Sequence, residues 1–146
     1  MNTIERISAS FILFVALGTG AAIAEDKSLY QRLGGYDAIA AVADEFIVRL
    51  ATDEQEKRFF VGFSNDSKTH IRQLFVDLVC KVTGGPCAYI GRDMKTTHAG
   101  IGVTKADWDH SLKIFGEVLN KLKVADKEQQ DLAALLGPLE KDIVEK

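Results

Sequence analysis

The 146-residue chain holds only two prolines, two cysteines and three histidines. With proline so scarce, little interrupts helix formation, and there is no low-complexity block, internal repeat or strand signal, which excludes a β architecture, a solenoid and a disordered chain. Charge of one sign is not in excess either. The formal net charge is −3 with acidic and basic residues intermixed, so no basic stripe exists to neutralise phosphates and nucleic acid is excluded as a partner. A long hydrophobic run is also missing: Phe11–Leu17 is cut short by Gly18, Thr19 and Gly20, well under the about 20 residues that span a bilayer.

What the first 24 residues do contain is the layout of a cleaved secretory signal: Arg6, the apolar run, then Ala22-Ile23-Ala24 ahead of Glu25. Because Glu5 offsets Arg6, the alternative is a membrane anchor through an uncleaved signal. The expectation is a signal over 1–24 and one domain over 25–146, periplasmic or secreted, with no stable membrane insertion after cleavage. In an oxidising compartment Cys80 and Cys87, seven apart around Gly84-Gly85-Pro86, are able to bridge. The sequence leaves open the other reading, a buried small hydrophobe and an exposed thiol.

Apolar residues recur at helical spacing in four segments. Ile39, Val42, Ala43, Phe46, Ile47 and Leu50 predict a helix over 36–51. Ile71, Leu74, Phe75, Leu78, Val79 and Val82 predict a second over 67–82, with Asn65-Asp66-Ser67 supplying its cap. Thr104 and Asp107 form a variant capping box ahead of Trp108, Leu112, Phe115, Val118, Leu119 and Leu122. Asp126 with Gln129 opens the last helix in the same manner, and Gly137-Pro138 is expected to bend it. With a short segment at Ser28–Leu33 this is a small all-α protein, whose wide stripes leave room for a buried apolar cofactor.

The stretch from Gly84 to Gly100 carries the chemistry. Three glycines and a proline end regular structure between Gly84 and Gly91, so Met94 to His98 can form about one helical turn before Gly100 closes it. A single neutral imidazole presented this way suits a haem iron. His98 is the candidate metal ligand, with Met94 one turn earlier as a polarizable contact. His110, beside Asp107 and Asp109, is expected to be solvent-exposed. His70 opens the second helix, within reach of a haem propionate or, as the alternative, of the sixth position of the iron, although Ile71 and Phe75 rather than His70 carry the inward stripe. Neither cysteine stands in a Cys-x-x-Cys-His arrangement, so covalent c-type attachment has no support.

From Ser28 to the C-terminus the chain resembles the truncated haemoglobins, group I. The residues that carry the resemblance are Ser28-Leu29-Tyr30-Gln31-Arg32-Leu33-Gly34-Gly35, Glu45-Phe46, Phe59-Phe60, Gly84-Gly85-Pro86, and Tyr89-x-Gly91-x-x-Met94-x-x-x-His98. The resemblance implies a truncated globin, a two-on-two helical sandwich around non-covalent haem b. His98 would be the proximal ligand, with Phe60, Phe46, Ile47, Ile71, Phe75, Tyr89, Met94 and Leu112 against the cofactor. It further implies a diatomic gas ligand (dioxygen, nitric oxide or carbon monoxide) bound for carriage, storage or sensing. Arg92, Lys95, Arg72 and Lys68 are candidates to pair the haem propionates.

Group I members usually place a tyrosine directly after the phenylalanine matched by Phe46, and often a glutamine on the next long helix. Here those positions are Ile47 and, counting back from Gly84, Ile71 and Phe75 with Leu74 beside them. The expected distal pocket is therefore apolar. A hydrogen bond to a partly charged gas ligand contributes about 1.5–3 kcal/mol, so its loss implies fast dioxygen release. The enzymatic alternative is nitric oxide dioxygenation or peroxidase-like chemistry. It needs an external reductase, because these 146 residues carry no flavin or nicotinamide domain.

Overall fold

In the computed structural model, residues 27–146 are described; the signal expected over 1–24 lies outside them. Among the described residues the regular structure is entirely helical. In chain order come α1 (Leu29–Arg32), α2 (Gly35–Thr52), a 3-10 turn (Lys57–Phe60), α3 (Asn65–Val82) and α4 (Met94–His98). Then follow α5 (Lys105–Lys121), α6 (Asp126–Leu136), a second 3-10 turn (Gly137–Leu139) and α7 (Glu140–Ile143). No helix among the described residues is long and apolar enough to cross a membrane.

The caps show why the helices begin where they do. Ser28 accepts from the Gln31 amide while the Gln31 side chain accepts from the Ser28 amide, a full capping box for α1. Thr104 and Asp107 form the expected box at α5. Two caps differ from expectation. The hydroxyl capping α3 belongs to Ser64, which accepts from the Ser67 amide, so the helix begins two residues earlier than the spacing indicated. Asp126 is the first residue of α6 rather than its cap, and Gln129 instead donates to Asn120 and to the Val124 carbonyl. Pro138 has no amide to continue the ladder, so α6 passes into the 3-10 turn there.

α2 packs on α3 and α5, α1 on α2 and α6, and α4 on α7. Ile39, Ala43 and Phe46 of α2 meet Val76, Val79 and Cys80 of α3, with Phe115, Val118 and Leu119 of α5 and Leu132 and Leu136 of α6, in one core. At its centre the rings of Phe46, Phe75 and Phe115 lie 5.1–6.1 Å apart in tilted and edge-to-face contacts, each worth about 0.5–1.5 kcal/mol beyond the area it buries. Val82, Leu112 and Leu122, assigned to inward stripes by periodicity, are exposed.

Cys80 and Cys87 form a disulfide, with Cα atoms 5.8 Å apart, fastening the end of α3 to the loop that leads to α4. Gly85 makes this possible. A Cβ there would lie 2.5–2.8 Å from the Tyr30 ring, the Cys80 sulfur and the Cys80 carbonyl, closer than any side chain tolerates. The Gly85 amide donates to that same carbonyl at 2.8 Å, and the Tyr30 amide donates to Thr83 O at 2.8 Å. The end of α3, the start of the domain and the loop toward His98 are thereby joined at one point.

Candidate functional site

The loop from Gly84 to Asp93 delivers a five-residue helix whose start is fixed by Asp93. Its carboxylate accepts from the Thr96 amide and hydroxyl, each at 2.8 Å, and these bonds hold the Asp93 carboxyl below the usual carboxylate range. Tyr89 folds the loop ahead of it by donating from its hydroxyl to Arg92 O at 2.7 Å, with its ring packed on Gly91. Burial pushes the Tyr89 phenol up. At the other end of α4, His98 Nδ1 lies 2.8 Å from the Met94 carbonyl, a contact that requires the proton on Nδ1. In the neutral ring Nε2 is then the atom with the lone pair, and it has no hydrogen-bond partner among the described residues. The spacing of four between Met94 and His98 was legible; that the backbone carbonyl of Met94, not only its thioether, orients the ring was not.

α3 carries two apolar stripes nearly half a turn apart. Val76, Val79 and Cys80 are buried in the core. Ile71, Leu74 and Leu78, three of the six residues that periodicity marked, are only half-buried and lie outside it. Phe75 stands between the two. The Ile71–Leu74–Leu78 stripe is an apolar surface that the protein's own core covers only in part. Phe60, Tyr89 and Met94 are also half-buried outside the core, while Phe63, Ile101 and Leu112 are 40–44% exposed. Phe60 sits edge-on to Phe63, with ring centroids 6.2 Å apart.

Ile47 is buried, 8% exposed, beside Phe46. The polar side chains nearest in sequence to the expected distal wall are engaged elsewhere. Gln73 donates to Tyr36 Oη at 2.9 Å and to Asp77 at 3.0 Å, and His70 is exposed. All three tyrosines of the chain have other places: Tyr30 against Gly35 and Gly85, Tyr36 with Gln73, Tyr89 with Arg92. Of the basic candidates, Arg72 is engaged with Asp44 through two bonds of 2.7 and 3.0 Å. Lys68, Arg92 and Lys95 make no ion pair among the described residues.

The turn that carries Phe60 is anchored by a polar network that sequence reasoning missed. Asp107, 3% exposed, accepts from Thr104, from Gln55 at 2.9 Å and from Arg58 at 2.6 Å. Burial alone would raise its carboxyl, but the bonds from Thr104, Gln55 and Arg58 outweigh that and hold it far below the usual range. His110, expected in solvent, is half-buried, with Nε2 3.0 Å from Asp53 Oδ1. Glu56 is 3% exposed and its Oε1 has no hydrogen-bond partner among the described residues. Burial, then the nearby Asp107 charge, pushes the Glu56 carboxyl up. A cavity of about 360 Å³ between α2, α3, α5 and α6 shares Phe75 with the expected distal wall and no residue of α4.

Comparison with known proteins places this geometry among relatives. The family model described as bacterial-like globin matches residues 28–145. Group 1 truncated haemoglobin GlbN of Mycolicibacterium paratuberculosis is 33% identical over 116 residues, 80% of this chain and 81% of that protein. The crystal structure of truncated haemoglobin from Tetrahymena pyriformis in its Fe(III) form has a TM-score of 0.75 at 27% identity, covering 82% of this chain and all of that one. The 2/2 haemoglobin from Synechococcus, solved in the cyanomet state with covalently attached haem, shares the fold, with a TM-score of 0.74 at 24% identity and the same coverage.

Proposed function

Since the chain belongs to the bacterial-like globins, as a haem-binding truncated haemoglobin of group 1 with the two-on-two helical fold, we propose that it binds a diatomic gas reversibly at haem b against an apolar distal wall. The observation that carries the reading is the His98 ring. Its Nδ1–H bond to the Met94 carbonyl fixes the tautomer and raises the basicity of Nε2, the atom that would take the iron. When bound, haem supplies a ferrous centre able to hold dioxygen, nitric oxide or carbon monoxide.

The chain's own residues set how tightly. Phe60, Met94, Tyr89 and the Ile71–Leu74–Leu78 stripe would exclude water from the cofactor, with Leu112 at the edge and Phe46 and Phe75 behind. Ile47, Ile71 and Phe75 have no donor to offer a bound gas, and Gln73 and Tyr36 satisfy one another instead. Dioxygen therefore gains no hydrogen bond worth about 1.5–3 kcal/mol, whereas the less polar carbon monoxide loses little. Lys68, Arg92 and Lys95 are basic candidates to meet the propionates. Non-covalent retention is supported, as far as cysteine attachment goes, by the lack of a Cys-x-x-Cys-His arrangement and by both cysteines being spent in the disulfide. That disulfide, together with the layout of residues 1–24, supports export to the periplasm or medium. Nitric oxide turnover would draw on a separate reductase.

Stopped-flow displacement of dioxygen by carbon monoxide from the reduced protein tests the reading. Fast release is expected. Slow release would mean that a polar side chain reaches the gas, and would overturn the apolar wall.

A further inference from the structure

The turn that follows His98 is closed by the far end of the chain. The His98 carbonyl accepts from the Ile101 amide at 3.2 Å. The amides on either side of Ile101, those of Gly100 and Gly102, donate to the two oxygens of one carboxylate, Glu145, at 2.6 and 2.5 Å. Backbone pairing brings Glu145 there. Its own amide donates to Val103 O at 2.9 Å, the Lys105 amide donates to Lys146 O at 3.0 Å, and α7 packs on α4. Gly100 and Gly102 both have positive φ, 80° and 78°, and a Cβ on either would meet nothing within 4 Å. Backbone conformation rather than crowding therefore selects glycine at both places.

A helix of five residues cannot hold its own direction, because nucleation costs more than so few hydrogen bonds return. The orientation of α4 must come from its ends. Asp93 fixes the first end. At the second end the only side-chain hydrogen bonds to the turn, among the described residues, come from Glu145. Both are charge-assisted, the stronger class.

We propose that Glu145 is a positioning residue for His98: its carboxylate locks the turn after α4 and so sets the direction in which the imidazole presents Nε2. The proposal rests on His98 being the iron ligand. It gives the last two residues of the chain a part in holding the cofactor, although neither belongs to the helices that surround it.

The test uses the full haem-loaded protein. In Glu145→Ala, amide exchange at Gly100 and Gly102 accelerates, transfer of haem to an excess of a haem-scavenging globin speeds up about tenfold, and the ferrous iron–histidine stretching band in resonance Raman spectra shifts or broadens. Glu145→Gln keeps one carbonyl acceptor and falls between the two, and it carries the test if the alanine variant does not fold. Lys141→Ala, an exposed change on α7, matches the parent. Unchanged haem transfer and an unchanged iron–histidine band in Glu145→Ala overturn the proposal, as does unchanged exchange at the two glycines. His98→Gly separates the two layers: if it still shows an axial histidine band, the reading of His98 itself is wrong, whereas its loss beside an unaffected Glu145→Ala defeats only the role of Glu145.

Discussion

In the proposed reading His98 and Ile47 divide the chemistry between them, one to hold the iron and the other to decide what a bound gas would meet. The imidazole is oriented by a contact within its own turn, the Met94 carbonyl 2.8 Å from Nδ1, and its candidacy as a ligand came from a histidine isolated among helix breakers. The distal side was legible only through family resemblance, since a buried isoleucine on an amphipathic stripe looks like any other core residue. What the structure adds is that the nearby polar groups are already paired with one another, Gln73 with Tyr36 and Asp77. Restoring a donor should therefore act alone. Ile47→Tyr is expected to slow dioxygen release by about one to two orders of magnitude, the equivalent of one hydrogen bond to a partly charged ligand, with carbon monoxide release changed far less. Laser photolysis and ligand replacement on the reduced variant measure both.

At the scale of elements, periodicity found every long helix but did not say which stripe faces protein. On α3 periodicity marked Ile71, Leu74, Phe75, Leu78, Val79 and Val82; of these only Val79 is buried in the core, Ile71, Leu74 and Leu78 are left half-covered, and two residues it passed over, Val76 and Cys80, are fully buried. Apolar spacing reports burial against anything, cofactor included. The polar anchors between elements were not legible at all, because Asp107 of α5 meets Gln55 and Arg58 only after the chain has folded.

That anchor has a pH signature with two opposed parts. Asp107, depressed, stabilises the fold above the ordinary carboxylate range, and this contribution is lost as the pH falls toward its lower folded value. Glu56, raised, acts in the reverse sense: its cost is absent below the unfolded carboxylate range and develops as the pH rises through it. Glu56→Gln is accordingly expected to stabilise the protein at neutral pH by about 1 kcal/mol, the order of one poorly satisfied buried oxygen, and the gain should vanish in acid. Urea unfolding at neutral and acid pH reads the difference. The other fastening between elements is the Cys80–Cys87 bridge, which closes a short loop, seven residues apart. Its reduction should lower stability by about 2–3 kcal/mol, seen as a lower unfolding midpoint with reductant than without.

For the whole molecule, the four long helices, their order and the all-α class were readable from sequence, the break of the last helix into α6, a 3-10 turn and α7 was expected only as a bend, and the two-on-two arrangement followed from family membership. Contacts between distant parts of the chain were not. The pairing of the C-terminal residues with Val103 and Lys105, which brings Glu145 onto the turn after His98, leaves no trace in composition or spacing. Small globular domains depend on a core that buries most of their apolar surface, and here α3 leaves one apolar stripe outside that core. Haem as the partner of this stripe, with His98 beneath the iron and no side chain ligating from above, is the claim on which the gas-binding reading stands. The absorbance spectrum of the purified protein, taken in ferric, ferrous and carbon monoxide forms, tests it most directly. A Soret band, a five-coordinate ferrous form and clean conversion to a six-coordinate carbon monoxide form are the predicted result; no Soret band after expression with haem available, or a ferrous form already six-coordinate before the gas is added, would contradict it.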